Sequence, residues 1–226
     1  MMSAADTSPL LIQHCPVGCD AQLEASAIVL PEGPLLRCAE CGQLVSQITT
    51  ATYQRSMTAF DSPGFNLPSG SEAARRVALA RRRLDRAGRL LAKTPGEIRL
   101  IDVGCSRGDF VAAAAQLGFH AQGVEPAPQI AAAARACGLT VHEGLLEEQR
   151  FTAASFDVVT LFEVIEHLPA PLALLHECHR ILRPDGILIA STGNTASWTV
   201  AAMQARWDYF HVAQDAGHVS FFNPRS

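Results

Sequence analysis

Ile101-Asp102-Val103-Gly104-Cys105-Ser106-Arg107-Gly108-Asp109-Phe110 decides the fold. Ile98–Val103 is a short apolar run, and Gly108–Leu117 has helical character, so the quoted residues form a strand-to-helix turn. Glycines in such a turn let the backbone approach a ligand closely. The amides that open the next helix can meet an anionic group. A dinucleotide fingerprint needs glycine at the first, third and sixth positions, but Ser106 and Asp109 occupy the third and sixth, so that reading fails.

Downstream, strand and helix patterns alternate. Strands are expected at His120–Val124, Leu139–His142, Phe156–Phe162 and Ile187–Ser191. Helices are expected at Pro128–Cys137 and Pro171–Leu182, the second ended by Arg183-Pro184-Asp185-Gly186. Near-continuous apolar strands separated by helices imply an α/β fold with a parallel sheet covered on both faces. Upstream, Ser71 opens a helical pattern that runs to about Lys93. It carries Arg75, Arg76, Arg81, Arg82, Arg83, Arg86 and Arg89, with Val77, Leu84, Leu90 and Leu91 as the apolar stripe. Its arginines read as a solvated face, with steering of an anionic substrate or RNA as the alternative.

The N-terminal part differs. Cys15-x-x-x-Cys19 and Cys38-x-x-Cys41 are two knuckles separated by eighteen residues. Four thiolates at such spacing suit a tetrahedral, closed, structural zinc. A unit this small needs such a staple. Redox dithiols fit poorly without a thioredoxin-like context. Three regions follow: a zinc ribbon at 13–48, a linker rich in Thr, Ser, Pro and Gly at 49–70, and the α/β domain at 71–226.

The 226 residues carry a net charge of -4 with a pI near 6.0, which argues against a large nucleic-acid surface. The mean hydropathy of +0.13 owes much to alanine runs at Ala112–Ala115 and Ala131–Ala134, which suit helices. No apolar stretch is long enough to span a bilayer, and no signal pattern opens the chain. A cytoplasmic location is expected, and neither nucleic acid nor membrane is expected as a partner.

Asp102 followed by Gly104, Ser106 and Gly108 resembles the first motif of S-adenosylmethionine methyltransferases, an acid followed by Gly-x-Gly-x-Gly, with serine at the middle glycine. Glu125, after Gly123-Val124 and before Pro126, lies where an acid can accept bonds from both ribose hydroxyls. With Glu143-Gly144-Leu145-Leu146, Phe156–Leu168 and Leu182–Gly186, the ordered set resembles the methyltransferase domain of O-methyltransferases related to ubiquinone biosynthesis. It is also similar to a broader bacterial group with an N-terminal zinc ribbon. The resemblance implies a Rossmann-like sheet in the order 3-2-1-4-5. It implies S-adenosylmethionine held by Asp102, Gly104, Cys105, Ser106, Gly108, Glu125, Pro126, Gly144, Leu145 and Phe162. Seven strands are usual there. After Ser191 the chain reads as a helix at Thr195–Arg206 and then an aromatic, histidine-bearing segment, so strands six and seven are expected to be absent. The open edge beside strand five invites a second copy or a partner.

Methyl transfer to a hydroxyl needs proton removal. Glu163, Glu166 and His167 follow strand four, and a helical turn would place them on one face. His167 is the candidate general base. Glu163-x-x-Glu166-His167 with a later histidine, His218 or secondly His211, also resembles the magnesium site of small-RNA 2′-O-methyltransferases and some ubiquinone O-methyltransferases. That likeness implies magnesium or manganese. Trp207, Tyr209 and Phe210 are expected to wall an acceptor pocket. The first expected function is O-methylation of a small molecule. Metal-assisted RNA 2′-O-methylation and a non-catalytic cofactor-binding or zinc-scaffold role are the alternatives.

Overall fold

A computed structural model describes residues 8–61, 70–212 and 217–226. In chain order the elements are β1 (Leu23–Leu30), β2 (Gly33–Cys38), β3 (Leu44–Val45), α1 (Thr50–Phe60), α2 (Gly70–Leu91), β4 (Arg99–Val103) and α3 (Asp109–Gln116). There follow β5 (His120–Glu125), α4 (Pro128–Ala136), β6 (Val141–Glu143), β7 (Phe156–Phe162), α5 (Pro171–Ile181), β8 (Leu182–Ser191), α6 (Trp198–Met203) and β9 (Ser220–Phe221). Short 3-10 turns include Ile165–His167 and Gln204–Arg206.

Contacts divide the chain into two units. One is built from Asp61–Phe162 and Ala173–Ser191. Its parallel sheet has the order β6-β5-β4-β7-β8, which is the expected 3-2-1-4-5. In β4 and β7 nearly every residue is buried, as a sheet covered on both faces requires. Leu84 and Ala87 of α2 and Ala114 of α3 pack with Leu100 and Val158 in one cluster. Ala131 and Ala134 of α4 pack with Val111 and Val141 in another. Gly123 makes room in β5: a Cβ there would lie 2.4 Å from Cys105 Sγ. Strand β8 begins earlier than expected. The turn at Arg183–Gly186 loops out between Leu182, paired with Phe156, and Ile187, paired with Val158.

The other unit combines the described residues up to Phe60 with Glu163–Leu172 and Thr192–Ser226. An antiparallel sheet in the order β1-β2-β3-β9 organises it. Val45 pairs with Ser220 and Leu44 with Phe221. Leu35, Val45, Val219, Phe221 and Phe210 share its core. The cysteine-bearing segment is therefore not a separate N-terminal module ending at 48. The stretch read as a linker also differs: its described part contains α1. Thr49 accounts for that helix by capping it, since its Oγ1 accepts from Thr52 N at 3.2 Å. The remaining linker residues, 62–69, lie outside those described. The helix expected at Thr195–Arg206 is shorter, Trp198–Met203 followed by one 3-10 turn. The segment after Ser191 adds no strand to the parallel sheet among the described residues; its only strand, β9, joins the other sheet.

Candidate active site

Parallel register brings the sequence-predicted cofactor residues to one edge of the sheet. Val103 is opposite Val124, Glu125 opposite Glu143 and Val103 opposite Leu161. The turn after β4, Glu125 with Pro126, Gly144 with Leu145, and Phe162 all lie at the carboxyl ends of these strands. There the strand order reverses, between β4 and β7, the position where such sheets bind ligands.

Gly104, Ser106 and Gly108 have φ of 69°, 49° and 81°. Ser106 thus holds the left-handed conformation that a glycine would adopt freely, so the turn survives the departure from pattern. At Gly108 a Cβ would fall 2.4 Å from Leu139 Cδ1. Gly104 N and Cys105 N both donate to Val124 O, which ties the turn to β5. Glu125, buried, completes the tie. Its Oε2 accepts from Ser106 N at 2.8 Å and its Oε1 from Ala127 N at 2.9 Å. Burial raises its pKa, and these two amides pull against that. A carboxylate offers about four lone-pair positions, so two remain for a ligand's hydroxyls.

Asp102 turns inward. It is buried, and Thr160 Oγ1 donates to its Oδ1 at 2.5 Å. Burial lifts its carboxyl to about 7 against that bond. Cys105 is buried, which pushes its thiol well up, so it packs as a small apolar side chain. Leu145 is half exposed on a turn where Glu148 accepts from Leu145 N at 2.8 Å. Phe162 meets Phe110 edge-on at 4.9 Å, and the Arg83 guanidinium lies 4.0 Å from its ring centroid.

The other unit carries two further clusters. The β1–β2 hairpin pairs Leu23 with Cys38, bringing the two cysteine knuckles together. The four sulfurs of Cys15, Cys19, Cys38 and Cys41 lie within 4.8 Å of one another, and Cys15 and Cys41 are 3.6 Å apart. Tetrahedral Zn–S bonds of about 2.3 Å would set sulfurs about 3.8 Å apart, so the four thiols fit zinc. Burial raises the Cys38 pKa, but the N–H groups of Cys41 and Glu40 outweigh it and bring the thiol down to about 7. A low-pKa thiol suits a metal ligand.

The second cluster surrounds the Tyr209 hydroxyl. It donates to Glu163 Oε2 at 2.9 Å and forms a short bond to Glu166 Oε1. It accepts from Gly193 N at 2.8 Å and lies 3.2 Å from Thr192 Oγ1. Thr192 Oγ1 also donates to Glu166 Oε2 at 3.0 Å. Gly193 leaves space for this ring: a Cβ there would lie 2.3 Å from Tyr209 Cε1. Glu163 and Glu166 do converge, but not on an α-helical face. Glu163 sits at φ 55° before the 3-10 turn Ile165–His167, and the shared phenol brings the carboxylates together. Glu166 is fully buried. Burial lifts its carboxyl to about 7, opposed by the Tyr209 bond.

His167 and His218 meet edge-on at 4.7 Å, and one ligand atom each from Glu166, His167 and His218 lies within 4.8 Å of the others. His218 Nδ1 lies 2.8 Å from Tyr209 O, which assigns the proton to Nδ1 and leaves the Nε2 lone pair available. Burial, then His167 and His211, lowers its pKa to about 3, so the ring is neutral. His211 bonds Asp208 O through Nδ1 and lies outside that three-residue group. Sequence reasoning took Tyr209 as a pocket wall and passed over Thr192 and Gly193. The one available signal was a glycine two residues after β8.

A described methyltransferase domain model matches residues 72–226, and the chain belongs to this methyltransferase domain family. Among curated proteins it is similar to a ubiquinone biosynthesis O-methyltransferase of Cereibacter sphaeroides, 36% identical over 127 residues, covering 52% of this chain and 51% of that protein. A protein of the same description from Haemophilus ducreyi is 37% identical over 107 residues, covering 42% of this chain and 45% of that one. The chain thus spans about half the length of the curated relatives it matches. A SAM-dependent methyltransferase from Archaeoglobus fulgidus shares the fold, with a TM-score of 0.52 at 19% identity over 67% of this chain and 63% of that chain.

Proposed function

We propose that this chain is an S-adenosylmethionine-dependent methyltransferase that methylates an oxygen of a small molecule. The observation that carries the reading is the left-handed turn Gly104–Gly108 locked to the Glu125 carboxylate. Such a turn gives the nucleoside and the methionine part a close backbone approach, and Glu125 still has acceptor capacity for ribose hydroxyls. Pro126, Gly144, Leu145 and Phe162 line the same edge. Asp102 acts from beneath, fixing the end of β4 through Thr160. Cys105 and Ser106 contribute main chain. The bound cofactor supplies an electrophilic methyl on sulfur. The protein's share is to align the acceptor behind it and take up a proton. Glu163, Glu166 and His167 are the proposed acid–base residues, with Tyr209 positioning the two carboxylates. The likeness to proteins described as ubiquinone biosynthesis O-methyltransferases supports oxygen as the target. Titration calorimetry with S-adenosylhomocysteine tests the reading: micromolar binding is expected, and no binding overturns it.

Zinc in the Cys15, Cys19, Cys38 and Cys41 cluster belongs to the same proposal, as a structural ion. A cytoplasmic setting does too, and it suits the three cysteines outside that cluster, Cys105, Cys137 and Cys178, as free thiols. Strand β8 ends the sheet order, and a second copy or a partner along its open edge is proposed; a monomer in light scattering counts against it. The convergence of Glu166, His167 and His218 favours a second reading, in which magnesium or manganese held there assists transfer, including transfer to an RNA 2′-hydroxyl. Undiminished activity in chelator sinks it.

A further inference from the structure

The outer face of α2 takes no part in any of this. The helix packs inward through Ala80, Leu84 and Ala87, all nearly inaccessible. At 3.6 residues per turn, Arg75, Arg82, Arg86 and Arg89 line up on the opposite side, and all four are exposed. Leu79 and Leu90 flank the row at 43% and 64% exposure. These six side chains fall within an arc of about 100°, and Arg75 to Arg89 spans about 21 Å. Among the described residues none of the four arginines forms an ion pair. At the helix end Leu90 borders a cavity of about 490 Å³ where Lys93 and Arg183 are paired with Asp157, so the unpaired cationic row ends at Arg89.

We propose that this stripe docks the chain reversibly on an anionic lipid surface, its arginines at headgroup phosphates and Leu79 and Leu90 in the headgroup layer. Leu90, expected on the core-facing stripe of this helix, instead stands outside the core beside the arginines, as does Leu79. A nucleic-acid backbone would take the arginines but leave both leucines in water. A protein partner would need roughly 800 Å² of matched surface, whereas the strip, about 21 Å by about 10 Å, offers roughly a quarter of that. A bilayer accepts both residue types and needs no matching outline; rows of cations near anionic headgroups are held there electrostatically. The net charge of -4 despite this helix leaves the rest of the chain acidic, which turns the arginine face toward such a surface.

Co-sedimentation of the full chain with two kinds of vesicle tests this, one of phosphatidylcholine alone and one also containing phosphatidylglycerol. Partitioning at least about tenfold higher onto the anionic vesicles is expected at low salt, falling as salt screens it. Arg82→Glu with Arg86→Glu should abolish the preference, and Leu90→Ser should weaken binding severalfold. Arg75→Gln with Arg89→Gln provides a milder second variant. Equal partitioning onto both vesicles, no partitioning, or a preference that survives both arginine pairs overturns the proposal. So does stripe-dependent binding of a single-stranded RNA oligomer by a chain that ignores vesicles.

Discussion

Replacing Tyr209 by Phe removes one hydroxyl and keeps the ring stack with Trp207, whose centroid lies 4.8 Å away. That hydroxyl serves Glu163, Glu166 and the Gly193 N–H. Glu166 is fully buried and afterwards keeps the Thr192 hydroxyl and a backbone N–H as partners among the described residues. Hydrogen bonds to a charged partner contribute about 1.5–3 kcal/mol and neutral ones about 0.5–1.5 kcal/mol. With Glu166 ionised at pH 8, the loss should therefore be about 2–4 kcal/mol. Below its folded pKa of about 7 the carboxyl is protonated in both proteins, and the loss should shrink toward 1 kcal/mol at about pH 5.5. The sign follows from linkage. The folded pKa lies above the ordinary 4.5, so the stability Glu166 contributes is present below that value and is lost as pH rises through about 7. Removing the phenol raises the pKa further and deepens the loss at high pH. Urea unfolding followed by tryptophan fluorescence reads this unit alone, because Trp198 and Trp207 both belong to it. An equal loss at both pH values, or less than about 0.5 kcal/mol at pH 8, refutes the reasoning.

Glu125→Gln puts an amide NH₂ against Ser106 N or Ala127 N, so S-adenosylhomocysteine affinity should fall at least about tenfold by calorimetry; an unchanged affinity argues against the ribose role. Cys38→Ser should strip zinc from the purified chain, measured by elemental analysis, and lower its melting temperature by several degrees. Asp157, almost inaccessible, takes bonds from Lys93, Arg183 and Arg99 N. Those bonds hold its carboxyl below the ordinary value of 3.8 despite its burial. Asp157→Asn should cost about 1–3 kcal/mol at neutral pH, toward the lower end because both cations reach solvent. Its folded pKa is depressed, so this stability is present above about pH 4 and lost on acidification. Circular dichroism should show the two proteins converging in strong acid.

The parallel sheet was legible because its central strands β4 and β7, buried on both faces, are written largely as apolar runs, and glycines mark the turn after β4. The site after β7 was half legible. Glu163 and Glu166 stand close together in the sequence, but what brings their carboxylates together is Tyr209, more than forty residues on, through tertiary packing that no local pattern records. Helix α1 was missed because Thr50–Phe60 buries only Ser56, so it has no apolar stripe to betray it. Strand β9 was missed because two residues are too few for any periodicity.

The pairing of β3 with β9 sets an order of events in folding. Three of the four pairings in the sheet of β4 to β8 join strands consecutive in the chain. In the unit with the four cysteines, Val45 must wait for Ser220. Long-range closure of this kind is slow. During synthesis the hairpin would leave β3 as a bare edge until Ser220 and Phe221 emerge. Zinc at Cys15, Cys19, Cys38 and Cys41, as proposed above, would hold the hairpin beside that edge meanwhile, because all four ligands lie upstream of β3.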